Sequence, residues 1–111
     1  MTTKAQTQAL KAAFRRFVEL MEPLEDVHYV VAVEPMRPDI FTFIRTIDDD
    51  VMKHVFSAQN VIHEEFPDIL IDFHVRFLEG RPLDYFLDPL PELTYSRLGL
   101  KTKAYKSGHA G

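Results

Sequence analysis

The sequence predicts an α+β domain, a two-layer sandwich of element order α-β-β-α-β with a mixed sheet and helices on one face. Three patterns predict it. Two stretches repeat apolar residues at helical spacing, three short stretches are β-branched and aromatic, and prolines or acidic residues separate them. The length of 111 residues admits one core and not two. An apolar fraction of 46% with 27% charged residues is that of an ordinary globular protein and excludes disorder of the whole chain.

Residues 4–24 form the first predicted helix. Leu10, Phe14, Phe17, Met21 and Leu24 recur at steps of three and four, and Pro23 places its end near Glu22. Its cations come early and its acids late, against the helix dipole, which suggests a partner for the basic turn. Residues 27–34 form a strand whose two faces are both largely apolar: Val27, Tyr29, Val31 and Val33 on one, His28, Val30, Ala32 and Glu34 on the other. A short connection with Pro35 and Pro38 leads to a second strand over 40–47, antiparallel to the first.

Asp48, Asp49 and Asp50 open the second helix, where carboxylates accept free N–H groups and suit the positive end of the dipole. Val51, Val55, Ala58, Ile62 and Phe66 make its buried stripe, and Pro67 ends it. Residues 69–78 form the third strand, with the cleanest alternation in the chain. Ile69, Ile71, Phe73, Val75 and Phe77 point beneath the helices, and Leu70, Asp72, His74, Arg76 and Leu78 point away. The second helix is then a crossover, so strands two and three run parallel. After Glu79-Gly80-Arg81, Pro82 begins either a helical turn over Leu83–Leu87 or an edge strand. Residues 1–92 are the expected domain, and 93–111 a basic, flexible tail.

Charge is distributed unevenly. Residues 1–16 and 93–111 each carry four cations and no acid, while all 17 acids lie between them. So acidic a body repels phosphate backbones, and nucleic acid is expected to bind, if anywhere, only through the basic ends. No cysteine is present, which excludes disulfides, thiolate metal sites and a cysteine nucleophile, and fits a cytoplasmic address. No apolar run is long enough to span a membrane.

Asp72, His74 and Arg76 are the sharpest constellation. Period two puts them on one face about 7 Å apart. A carboxylate can orient an imidazole as a base and a guanidinium can hold an anion, with Arg45 or Glu34 joining from neighbouring strands to make a small polar pocket. A half-exposed charge ladder explains the same residues without a ligand. No metal or cofactor is expected. His54 and His63 are nine apart on one helix and face different sides, His63-Glu64-Glu65 lacks the second histidine of a zinc helix, and N-capping accounts for the three aspartates. Asp50 and His54, four apart, are expected as a surface pair rather than a chelate. No Gly-x-Ser-x-Gly occurs, and the glycines (Gly80, Gly99, Gly108, Gly111) come too late to cradle a phosphate after the first strand.

Phe66-Pro67-Asp68 followed by Ile71-Asp72-Phe73-His74-Val75 resembles a helix-then-strand block of short bacterial proteins of unknown function, over about residues 27–78. The element order is also similar to the minimal nucleotidyltransferase core. That family has Gly-Ser after its first strand and Asp-x-Asp entering its second. Here Glu34-Pro35-Met36-Arg37-Pro38-Asp39 has neither, which leaves only Asp72 in a corresponding place. The expectation is therefore a small cytosolic, non-catalytic protein-interaction domain. It is expected to work as a homodimer that buries the second sheet face, with His28, Val30, Ile44, Asp72, His74 and Arg76 or their neighbours on it. The alternative is a degenerate nucleotidyltransferase-like or small-ligand-binding domain using Asp72, His74 and Arg76.

Overall fold

Capping explains where the second helix begins. In the computed structural model, which describes residues 4–33, 38–87, 91 and 93–96, Asp48 is extended (φ −152°, ψ 114°). Its carboxylate accepts the N–H groups of Asp50 at 3.0 Å and Val51 at 3.2 Å. Helix α2 (Asp49–Glu65) follows, and it stops at Phe66, whose N–H reaches the Ile62 carbonyl at 2.8 Å just before Pro67. Replacing the cap, Asp48→Ala, is expected to cost about 1 kcal/mol in urea unfolding, with Asp48→Asn retaining most of it. An alanine variant as stable as the parent would show that the cap contributes nothing.

Helix α1 (Lys4–Met21) ends two residues before Pro23, and its stripe of Leu10, Ala13, Phe14, Phe17 and Met21 is buried. Part of its basic charge is met within the chain. Arg16 donates through Nε to Glu65 Oε1 of α2 at 3.0 Å and through Nη1 to Glu19 at 3.3 Å. These bonds, Glu65's foremost, hold the guanidinium further toward its charged form. Arg16 therefore ties the two helices together.

The sheet has the order β3-β2-β1-β4, with β1 at Val27–Val33, β2 at Asp39–Ile44, β3 at Asp72–Phe77 and β4 at Leu93–Ser96. β1 and β2 are antiparallel, and β2 and β3 are parallel across the α2 crossover, as the sequence predicts. Both helices pack on one face. There Val27, Val30, Ala32, Ile40 and Ile44 share a cluster with the buried residues of α1 and α2, and Phe73, Val75 and Phe77 pack against it. The predicted phase of β3 therefore holds.

The phase of β1 needs correcting. Its ladder with β2 slips between Val27 and Tyr29, so these two residues sit on opposite faces. Beyond the slip, Val30 and Ala32 face the helices while Tyr29 and Val31 face away. Val30 and Ile44, expected on the second face, are core residues, and Tyr29, Val31, Phe41 and Phe43 take that face instead.

Two further expectations change. The boundary at residues 92/93 cuts into the sheet, because Leu93–Ser96 pair antiparallel with Tyr29–Ala32. Leu93 and Tyr95 pack on the helix-side cluster, and the pairing makes β1 a central strand, as its two apolar faces predict. The rest of the expected tail, 97–111, lies outside the described residues, as does Glu34 at the expected end of β1. Between Leu83 and Leu87 the choice resolves to a 3-10 helix over Leu83–Tyr85, with Pro82 at its N-cap rather than inside its first turn.

A tight reversal delivers that segment to the sheet. Leu78 and Glu79 still donate to the Ile44 and Arg45 carbonyls, at 2.8 and 3.0 Å. Glu79 (φ 52°) and Gly80 (φ 82°) then turn through the left-handed region, and the Glu79 carboxylate accepts from Thr46 Oγ1 at 3.2 Å. Leu83 and Leu78 are buried with Tyr29, Val31 and Phe43, while Phe86 packs on Phe43 at 5.3 Å between ring centroids. The chain thus covers part of its own second face, and that part is closed to the second copy expected there.

Candidate functional site

The in-register parallel pairing of β2 with β3 decides which polar groups meet on the remaining second face. Asp39 lies opposite Asp72, Phe41 opposite His74, and Phe43 opposite Arg76. Residues one step apart point to opposite faces, so Asp39, Phe41, Asp72, His74 and Arg76 all lie on the side away from the helices.

His74 is the centre of the group. Its Nε2 lies 3.0 Å from Asp39 Oδ1, with both side chains partly buried. The ring stacks on Phe41 at 4.5 Å between centroids and 17° between planes. On the same aromatic ring, the Arg76 guanidinium carbon lies 5.4 Å from the centroid, within the range of a cation–π contact. Arg76 Nη1 also donates to the Val75 carbonyl at 3.0 Å. The imidazole is thereby fixed in position by a carboxylate and a ring.

The predicted constellation is brought together in part. Asp72, His74 and Arg76 share a face, and the carboxylate at 3.0 Å from His74 Nε2 belongs to Asp39, a residue outside that constellation. Arg45 does not join them: it donates through Nε to Asp26 at 3.1 Å, beside the turn that precedes β1. Four residues along β2 from Phe41, it is roughly 13 Å away along the strand. Sequence reasoning missed Asp39 because β2 was expected to start at Ile40. The usable signal was the parallel pairing itself, since setting Phe41 against His74 also sets Asp39 against Asp72.

The chemistry available here is limited. One carboxylate orients one imidazole, which is half of a general-base arrangement. Among the described residues, no three His, Cys, Asp or Glu side chains converge as a metal would need. Asp50 and His54 do not form a carboxylate–imidazole pair either, because His54 Nδ1 meets the Asp50 backbone carbonyl at 2.8 Å. A cleft outlined by described residues lies elsewhere. It has a volume of about 410 Å³ between α1 and the β1–β4 corner, with Leu10, Ala32 and Leu93 as walls and Thr7 and Lys11 beside them. No helix among the described residues is long and apolar enough to cross a membrane.

The chain matches no protein-family profile, and neither a curated protein nor a solved structure matches it.

Proposed function

We propose that the chain is a small, non-catalytic protein-interaction domain that acts as a homodimer. The observation that carries this reading is the position of β3, the most regular strand in the sequence, at the end of the sheet. Among the described residues β3 is bonded only to β2. An open strand edge is a template for another chain, and β3 contains no proline, no lysine and no bulge to blunt it. Phe73, Val75 and Phe77 remain half-buried along it. Exposed apolar residues flank the same edge. Leu70, just ahead of β3, is 68% exposed, and Phe56 on α2 is 46% exposed. Phe56 shares a helix flank with His63 seven residues later, and His63 meets Phe73 edge-on at 5.3 Å.

The non-catalytic part of the reading draws on the His74 group. It contains a positioned imidazole but no second convergent acid or nucleophile that the described contacts bring to it. Sedimentation velocity across a dilution series is expected to give a dimer at micromolar concentration that dissociates on dilution. A single species of monomer mass, unchanged at every concentration, would remove the proposal.

A further inference from the structure

We infer that the partner at the β3 edge is a second copy of this chain, added antiparallel about a two-fold axis at His74, so that the two sheets join into one across the two β3 strands. This inference rests on the homodimer reading and specifies its surface and register.

Backbone direction restricts the register first. The Asp72 N–H bonds to the Pro38 carbonyl at 3.1 Å and the Leu78 N–H to the Ile44 carbonyl at 2.8 Å, so even-numbered residues of β3 turn their polar groups toward β2. By period two, Phe73, Val75 and Phe77 turn theirs toward the open edge. Antiparallel partners that exchange both hydrogen bonds must therefore be odd with odd. Setting Phe73 against Val75 of the partner subunit, and the reverse, satisfies this and places His74 opposite its own copy as a non-hydrogen-bonded pair.

Charge then selects this register. Within Asp-Phe-His-Val-Arg-Phe, the acid and the base lie equally far from the histidine on either side. Antiparallel pairing about His74 puts Asp72 opposite Arg76 of the partner subunit twice, on the face away from the helices, where opposite charges directly across strands attract. Arg76 is exposed, and its described contacts are a carbonyl and an aromatic ring rather than a carboxylate. Moving the axis to Val75 keeps the backbone bonds possible but places Asp72 against Leu78, which loses both charge pairs. On the other face the chosen register brings Phe73 against Val75 and the two α2 flanks carrying Phe56 toward each other.

The absence of cysteine makes the test clean. Non-hydrogen-bonded antiparallel pairs have Cα atoms about 4.5 Å apart, which a disulfide spans. In this register the two Val75 residues are diagonal, roughly 8–9 Å apart, beyond a disulfide's reach. Under mild oxidation, His74→Cys is expected to give a covalent dimer on a non-reducing gel, while Val75→Cys and the exposed control Tyr85→Cys remain monomeric on it. Arg76→Asp, at an exposed position that should leave folding intact, sets acid against acid twice. It is expected to weaken the dimer on the order of tenfold by sedimentation, with Asp72→Arg in the same chain restoring it. Covalent dimer at Val75→Cys but not His74→Cys overturns the register. So does a dimer that neither cross-links at position 74 nor responds to Arg76→Asp; the homodimer reading would then survive with a different surface. A protein monomeric throughout overturns both. If His74→Cys fails to fold by circular dichroism, the charge-reversal pair decides.

Discussion

Phe17→Ala is expected to lower the free energy of unfolding by about 3–5 kcal/mol, the range for emptying an aromatic site in a packed core. Phe17 is fully buried in the middle of the α1 stripe, with Leu10, Ala13 and Met21 in the same cluster. Its ring lies 5.1 Å from that of Phe73, tilted by 43°. The side chain therefore joins three layers of contact at once: its own helix, α2 through the shared cluster, and the third strand. Removing it takes away transferred apolar area and leaves a void that two helices and a sheet can close only by moving together. With total stabilities of small domains near 5–15 kcal/mol, the variant should be close to unfolding at physiological temperature. The check is a urea transition at one fixed protein concentration, because self-association makes stability depend on concentration. A loss below about 1 kcal/mol would show that Phe17 is not a core anchor.

Leu83→Ala is expected to cost about 2–5 kcal/mol, and to act on the opposite side of the sheet. Leu83 is only 2% exposed although it belongs to a three-residue 3-10 helix outside every strand. So short an element has no stability of its own. What holds it is the insertion of Leu83 among Tyr29, Val31, Phe43 and Leu78. Truncation should release the segment from Leu83 to Leu87 and expose Phe43. Hydrogen exchange should accordingly lose protection on this face first, while amides of α1 and α2 keep theirs until global unfolding. Uniform loss of protection across both layers would mean that the two faces unfold as one unit. A negligible change in stability would mean that the segment rests on the sheet without anchoring it.

The parts of this molecule that could be read from the sequence are those where one periodicity runs long enough to be unambiguous. The α1 stripe, the acidic start of α2 and the odd–even split from Ile69 to Phe77 all survive in the structure. β1 is apolar on both faces, so its pattern holds no information about which side chains face the helices. A single slip between Val27 and Tyr29 then set the assignment. β4 has only four residues, Leu-Thr-Tyr-Ser, which is too short for an alternation to stand out from a polar, basic stretch. Its place depends on the open edge of β1, a fact of the whole sheet.

The candidate site shows the same division. Asp72, His74 and Arg76 share a face because period two is a property of one strand. Which carboxylate meets His74 depends on the register between two strands, so Asp39 entered only with the ladder. Arg45 was displaced for a related reason: β2 ends at Ile44, and Arg45 turns to Asp26 beside the start of the hairpin.

The pairing of Leu93–Ser96 with Tyr29–Ala32 joins one of the last described segments to one of the first. During synthesis the β1–β2 hairpin can form early from neighbouring residues, but β1 must wait for its other neighbour until the residues through Ser96 have left the ribosome. In that interval its second edge is open to other nascent chains. A stop codon placed before position 93 would make that interval permanent, giving a polypeptide with both helices and an unfinished sheet, prone to aggregate in the cell.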